Sequence, residues 1–268
     1  MATITVFEAG YCTHMACMAM RGAGLAICRF PARAYLIETT RGLWLWDTGY
    51  AQHFHDHTKS GIFAMYRCVT PVHFDANASM VLQLRERGVQ PRDLTAVVLS
   101  HFHGDHIAGL RDFQGVPTYL SGAGWNTTRC LRGFGALRKG FVPGLIPPGF
   151  ESSIVFVETF DRVHLPSELA PFAQGFALPE SGAQVMVVEL PGHAAGHLGA
   201  FVSTSDGWVL LASDAAWSPK SYERLVGPSV VAHAIMDSPA AYYQTLHNLH
   251  ALHTRGQVRI CLTHEGAL

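Results

Sequence analysis

Three imidazoles and a carboxylate fall within six residues at His101-Phe102-His103-Gly104-Asp105-His106. Imidazole nitrogen and carboxylate oxygen are the donors that a borderline divalent ion such as zinc accepts. The apolar run Thr95-Ala96-Val97-Val98-Leu99 precedes them directly. A strand ending in a tight turn can aim such side chains at one point, so the cluster reads as a metal site. Further candidate donors lie far along the chain, in Pro191-Gly192-His193-Ala194-Ala195-Gly196-His197, in Leu211-Ala212-Ser213-Asp214 and in Thr263-His264. Upstream, Leu45-Trp46-Asp47-Thr48-Gly49 ends another apolar run in a carboxylate.

The spacing His-x-His-x-Asp-His, together with these four segments in this order, resembles the metallo-β-lactamase superfamily along nearly the whole chain. Within it, the Pro-Gly-His-x-x-Gly-His segment, Ala212-Ser213-Asp214-Ala215 and the helical stretch leading into Thr263-His264 are most similar to the N-acyl-homoserine lactonase-like (quorum-quenching) group. The resemblance implies an α+β fold, the αβ/βα four-layer sandwich of two facing mixed β-sheets flanked by helices, formed by residues 1–268 as one domain. It implies two divalent metal ions, zinc first, with iron, manganese and cobalt also able to take N/O ligands. His101, His103 and His193 would hold one ion and Asp105, His106 and His264 the other, with Asp214 bridging them. Asp105 and Asp214 are then the catalytic carboxylates. The implied reaction is the opening of a lactone ester by a hydroxide held between the ions.

At the third position after the bridging Asp, those lactonases carry a tyrosine that contacts substrate; here Trp217 stands there. An indole N–H donates but cannot do what a phenol does, so Trp217 and Tyr222 are the substrate-contact candidates, with Tyr11 a further phenol. A thioesterase of the glyoxalase II type or an aryl- or phosphodiesterase would use the same donor set, and a non-enzymatic metal-binding scaffold is the remaining alternative. Asp47 can accept a hydrogen bond from a ligand imidazole, orient the loop, or simply end a strand. Gly104 and Gly192 suit close backbone approach beside the ions. His197 reads as structural or as a support for a ligand. The near-repeat His53-Phe54-His55-Asp56-His57 lacks one residue of the spacing and reads as a polar loop, while His247, His250 and His253 fan around a helix as a solvated face.

Other elements must position these groups. Period-two apolar runs predict strands at 4–7, 34–37, 43–46, 96–99, 185–190, 200–202, 208–211 and 258–262. Helices are expected over 79–87, stopped by Gly88, and from Ser238-Pro239 to about Thr254, with Tyr242, Leu246, Leu249 and Leu252 as its buried face. His53–Ala78 and the proline-rich Phe134–Ser181 fit no regular element; each either walls an apolar substrate cleft or is a surface excursion or dimer contact. A net charge of −1 and 15% charged residues are poor footing for nucleic acid. The expected partner is therefore a small-molecule substrate with an apolar portion, with no nucleic acid and no membrane, while family resemblance allows a homodimer. The N-terminus shows no basic-then-apolar leader, no stretch nears the ~18 apolar residues of a span, and the six cysteines are dispersed. A cytoplasmic location with free thiols is the resulting expectation.

Overall fold

Alternation along the strands decides how the layers stack. In Leu43–Trp46, Trp44 and Trp46 point one way and Leu45 the other; in Ala96–Val98, Ala96 and Val98 oppose Val97; in Val185–Glu189, Val185 and Val187 oppose Met186 and Val188. One set, with Val209 and Leu211, forms a core of 18 buried residues between two sheets. The opposite set joins 52 buried residues under the helices on the outer faces. A strand buried on both faces needs apolar residues throughout, which these short runs supply.

The computed structural model describes residues 1–268. Thirteen strands are numbered in chain order: β1 Thr3–Met15, β2 Ile27–Glu38, β3 Leu43–Trp46, β4 Val72–His73, β5 Ala96–Val98, β6 Thr118–Leu120, β7 Ile154–Phe156, β8 Arg162–His164, β9 Gln174–Ala177, β10 Val185–Glu189, β11 Leu198–Thr204, β12 Gly207–Ser213 and β13 Val258–Leu262. The first sheet runs β4-β1-β2-β3-β5-β6-β7 and the second β13-β12-β11-β10-β9-β8. Both are mixed: β3, β5, β6 and β7 pair in parallel beside an antiparallel β1-β2-β3 meander, and β12 pairs in parallel with β13 beside an antiparallel run. The expected four-layer sandwich is what the chain forms. All eight expected strands are present, β1 and β2 being longer than their apolar patches.

Helix Met80–Glu86 begins after Ser79, as expected. Helix Pro239–Arg255 carries an N-cap in which Ser238 accepts from the Ala241 N–H, and it ends at Gly256 in the left-handed conformation. It buries Tyr242, Leu246, Leu249 and Leu252 against the second sheet's outer face, each leucine contributing on the order of 2 kcal/mol of apolar transfer. Its first turn lies so close to Gly192 that a Cβ there would stand 2.0 Å from the Tyr242 nitrogen, and Gly192 has φ +124°.

The two segments expected to lack regular structure contain it. Residues 53–78 hold helices Gln52–Thr58 and Ala64–Val69 and strand β4; residues 134–181 hold helix Gly133–Arg138, helical turns of three or four residues and strands β7 to β9. These elements are too short for their periodicity to stand out, and tertiary burial rather than propensity holds them: Phe54 is wholly buried and stacks edge-on with Tyr50 and Tyr66. The His53–His57 repeat is therefore helical rather than a loop, with His53 hydrogen-bonded to Asp112 at 2.8 Å.

Replacing Gly192 by alanine combines a backbone clash with a forced positive φ. We expect a loss of about 3 kcal/mol in denaturant unfolding; a stability within 1 kcal/mol of wild type would show that the helix can shift away.

Candidate metal centre and cleft

The C-terminal ends of β3, β5, β10, β12 and β13 deliver Asp47, His101, His193, Asp214 and His264 to one end of the sandwich, and the short helix Gly104–Ile107 adds Asp105 and His106. Every one of these side chains is buried. Two groups of donor atoms result: His101, His103, His193 and Asp214, and Asp105, His106, Asp214 and His264, each mutually within 4.8 Å. All seven residues proposed from the sequence converge, and Asp214 belongs to both groups. In the first, His193 Nε2 lies 3.1 Å from His101 Nε2 and 2.9 Å from His103 Nδ1. In the second, His106 Nε2 lies 3.5 Å from both Asp105 and Asp214, and His264 Nε2 lies 3.3 Å from Asp214.

Outer hydrogen bonds fix which nitrogen faces inward. Asp47 accepts from the Ser100 N–H, the Ser100 hydroxyl and His106 Nδ1, each at 2.8 Å. Because the Ser100 proton goes to Asp47, its oxygen is free to accept from His101 Nδ1 at 3.0 Å. His264 Nδ1 donates to the Pro31 carbonyl at 2.8 Å. The Nε2 lone pairs of His101, His106 and His264 are thus all aimed at the cluster. Asp47 does both things suggested for it, bonding an imidazole and anchoring the loop. His197 is a support: its Nδ1 donates to the Leu190 carbonyl, and its Nε2 accepts the Asp214 backbone N–H at 3.2 Å. Burial lowers its pKa to about 4, consistent with that neutral tautomer.

The electrostatics suit a cation. Burial, reinforced by neighbouring imidazoles, holds His101 well below the usual histidine range; burial does the same to His193 and lowers His103 to about 4. These three rings are neutral near pH 7, and one shared proton cannot satisfy three converging nitrogens. Burial also disfavours charge on His106, but Asp105, Asp47 and Asp214 outweigh it and raise its pKa well above normal. Burial would raise Asp214, yet His264 and His106 hold it well below the carboxylate range. His106 Nε2 and Asp214 Oδ1, both turned toward the cluster, are buried without a hydrogen-bond partner. Neutral rings at His101, His103 and His193, an ionised Asp214 and orphaned atoms facing the cluster fit divalent cations, which would replace the proton that the carboxylates draw onto His106.

Beside the cluster opens a cleft of about 560 Å³, lined by 18 residues of which 11 are hydrophobic. An apolar lining was expected, but its source was not. From residues 53–78 only Tyr66, Val69 and Thr70 reach it, and residues 134–181 contribute no wall. Phe141, Leu145 and Phe150 are instead buried in the core and Phe134 is exposed. The walls come from Cys12 to Met18, Phe30, and Val231 to Ile235, which carried no periodic signal of their own. Gly104 leaves room for the Phe54 ring, which a Cβ there would meet at 2.8 Å, rather than for the ions as expected. Trp217 lines the cleft, but its indole N–H donates to Asp214 Oδ2 at 3.1 Å. Tyr222 is buried away from the cleft beside His253, and Tyr11 stacks on His73 under the Arg29 guanidinium. The phenols that do line the cleft are Tyr50 and Tyr66, which sequence reading missed because tertiary packing alone brings them there.

The Metallo-beta-lactamase superfamily profile matches residues 29–257. The chain belongs to that superfamily. An N-acyl homoserine lactonase of Bacillus cereus is 25% identical over 196 residues, 72% of this chain and 67% of that protein. A probable metallo-hydrolase of Mycobacterium tuberculosis is 28% identical over 208 residues, 75% of this chain. The chain's match spans 61% of that protein's length. Among solved structures, an N-acyl homoserine lactone hydrolase with the product N-hexanoyl-L-homoserine bound at its catalytic metal center superposes with a TM-score of 0.74 at 19% identity, covering 98% of this chain and 93% of that one. That last likeness shows a shared fold.

Asp47→Asn would cost His106 a charged acceptor and disturb the Ser100 bonds that orient His101. We expect a roughly 10- to 100-fold weaker metal affinity in chelator competition with an unchanged circular dichroism spectrum; wild-type affinity would remove Asp47 from the centre's support.

Proposed function

We propose that this superfamily member is a metal-dependent hydrolase that opens lactones carrying an apolar arm, of the N-acyl-homoserine lactone kind. The observation that carries this reading is the convergence of seven buried donors at the floor of a mostly apolar cleft. The match to a B. cereus lactonase supports it. His101, His103, His193 and Asp214 would hold one divalent cation and Asp105, His106, Asp214 and His264 a second, with zinc the first candidate. When bound, such ions supply a water acidified toward neutral pH and an electrophile for a carbonyl oxygen.

The chain's own groups do the rest. Asp214 presents Oδ2 to His193 and His264 and Oδ1 to His106, so one anion serves both donor groups and would offset the repulsion between two cations. Trp217 fixes that carboxylate from the cleft side. In lactone opening, water's oxygen bonds the acyl carbon, the ring C–O bond breaks, and its oxygen leaves needing a proton. Asp105 lines the cleft 3.5 Å from His106 and His264 and is the carboxyl group placed to carry that proton. Burial, and then the charge of Asp105, hold the Tyr66 hydroxyl well above its usual pKa, so at neutral pH it faces the cleft only as a neutral donor. The apolar walls exclude bulk water, which strengthens each of these interactions.

Metal analysis combined with a panel of lactone, thioester and phosphodiester substrates tests the reading. Lactones should turn over fastest, and Asp214→Asn should lower kcat/KM by more than the roughly 100-fold typical of losing an outer hydrogen-bond partner, with secondary structure intact. Preferred hydrolysis of thioesters or phosphodiesters would replace the substrate assignment, and full activity in Asp214→Asn would refute the shared-carboxylate scheme.

A further inference from the structure

Ten large hydrophobic side chains are exposed, and seven of them sit on three segments around the cleft mouth: Met15, Leu25 and Ile27; Met65 and Val69; Val230 and Val231. Met15, Val69 and Val231 line the cleft itself. Met15 is paired with Ile27 across β1 and β2, which puts both on one face of that hairpin. Its tip is tied to the third segment by Arg21 N–H to the Gly227 carbonyl at 2.8 Å and Ser229 N–H to the Cys17 carbonyl at 3.0 Å. The Thr13 N–H to Pro71 carbonyl bond ties the second segment to β1. Leu25 (73% exposed), Ile27 (70%), Val230 (70%) and Val231 (74%) therefore stand out from the protein around one opening. Contiguous exposed apolar surface of this kind marks an interaction site.

Charge says what kind. Residues 12–30, 61–74 and 226–236 contain not one Asp or Glu, although the chain has 20 of them; they carry Arg21, Arg29 and Arg67. Arg29 is paired with Glu8, leaving Arg21 and Arg67 without an acidic partner. A symmetric contact with a second copy would present each collar to its own image, apolar to apolar but with no carboxylate to receive either arginine. It would also close the cleft. An anionic lipid surface satisfies both arginines and accepts the apolar collar.

We propose that the collar formed by Leu25, Ile27, Val69, Val230 and Val231, with Arg21 and Arg67, docks this protein on an anionic lipid–water interface and turns the cleft mouth toward the membrane. No helix is long and apolar enough to cross a membrane, and peripheral docking needs none. The substrate class that follows is a lactone with an alkyl or acyl chain long enough to partition into lipid, drawn into the cleft from the bilayer surface. That half of the inference rests on the lactone-opening reading; the docking half does not.

The test uses the full, metal-loaded protein with vesicles of phosphatidylcholine alone or with about 30% phosphatidylglycerol, the bound fraction being read by co-sedimentation at low and at about 0.5 M salt. Binding to the anionic vesicles, weakened by salt, is expected. In the double variant Leu25→Asp/Val230→Asp, outside the cleft lining and at exposed positions, the vesicle partition should fall at least about tenfold. Its thermal unfolding and its turnover of a short, water-soluble lactone should stay as in wild type. No co-sedimentation with anionic vesicles, or equal binding by the double variant, overturns the proposal. So does a wild-type dimer in sedimentation equilibrium that the double variant dissociates, since a second copy would then cover the collar. Vesicle binding without hydrolysis of any lactone supports the docking face and counts only against the hydrolytic reading.

Discussion

The hydrogen bond from the Trp46 indole to the Ser213 hydroxyl, 2.9 Å long and wholly buried, crosses from one sheet to the other at the point on which the site depends. Trp46 is the last residue of β3 and Ser213 the last of β12; the next residues are Asp47 and Asp214. Both Asp47 (φ +59°) and Ser213 (φ +45°) lie in the left-handed region, which costs non-glycine residues on the order of 1–3 kcal/mol each. Such strain persists only where its surroundings over-determine it. Here the Asp47 N–H is held by the Val98 carbonyl, its carboxylate by Ser100 and His106, and the Asp214 N–H by His197. The two kinked strand ends are thus locked to each other before any cation is considered.

That lock explains why so many titratable groups survive in a dry interior. A buried imidazole or carboxylate without a partner is costly, and half-satisfied polar networks are worse than apolar packing. The outer ring of this cluster is satisfied except at His193 Nδ1: Ser100, Pro31, Leu190 and Asp47 each take or give a hydrogen bond. The inner ring is not, since lone pairs face one another at about 3 Å. Converging, mutually unsatisfied donor atoms in an otherwise consistent fold are what a functional centre looks like energetically.

The donor residues were legible because metal ligation demands particular residue types at fixed spacing, and the strand ends that bear them are apolar runs with period-two burial. The helix over Pro239–Arg255 was legible for the same reason, through its cap and its leucines. The walls were not. Cys12, Phe30 and Tyr66 sit on three different elements, and no local pattern says that β1, β2 and helix Ala64–Val69 meet around one opening. Tyr222 misled because proximity in sequence to Asp214 suggested proximity in space; helix Pro219–Arg224 instead turns its ring toward His253. The short strands β7, β8 and β9 were hidden by the prolines and glycines around them, which local reading takes as loop.

Trp217 illustrates how an indole beside the cluster commits its single polar group. Its ring meets His193 edge-on at 5.5 Å and its single donor is spent on Asp214. An indole has no second polar function to offer a substrate, and no lone pair with which to accept a bond. Trp217 therefore presents the cleft with shape and apolar surface, and its one polar contact is to Asp214. The phenol hydroxyls of the cleft belong to Tyr50 and Tyr66, the latter beside the Gly104 turn that carries His103 and Asp105. Polar and apolar groups thus alternate around one cleft, since helix Ala64–Val69 brings both the Tyr66 phenol and Val69, and the apolar lining runs out to the exposed collar through Met15, Val69 and Val231, which belong to both.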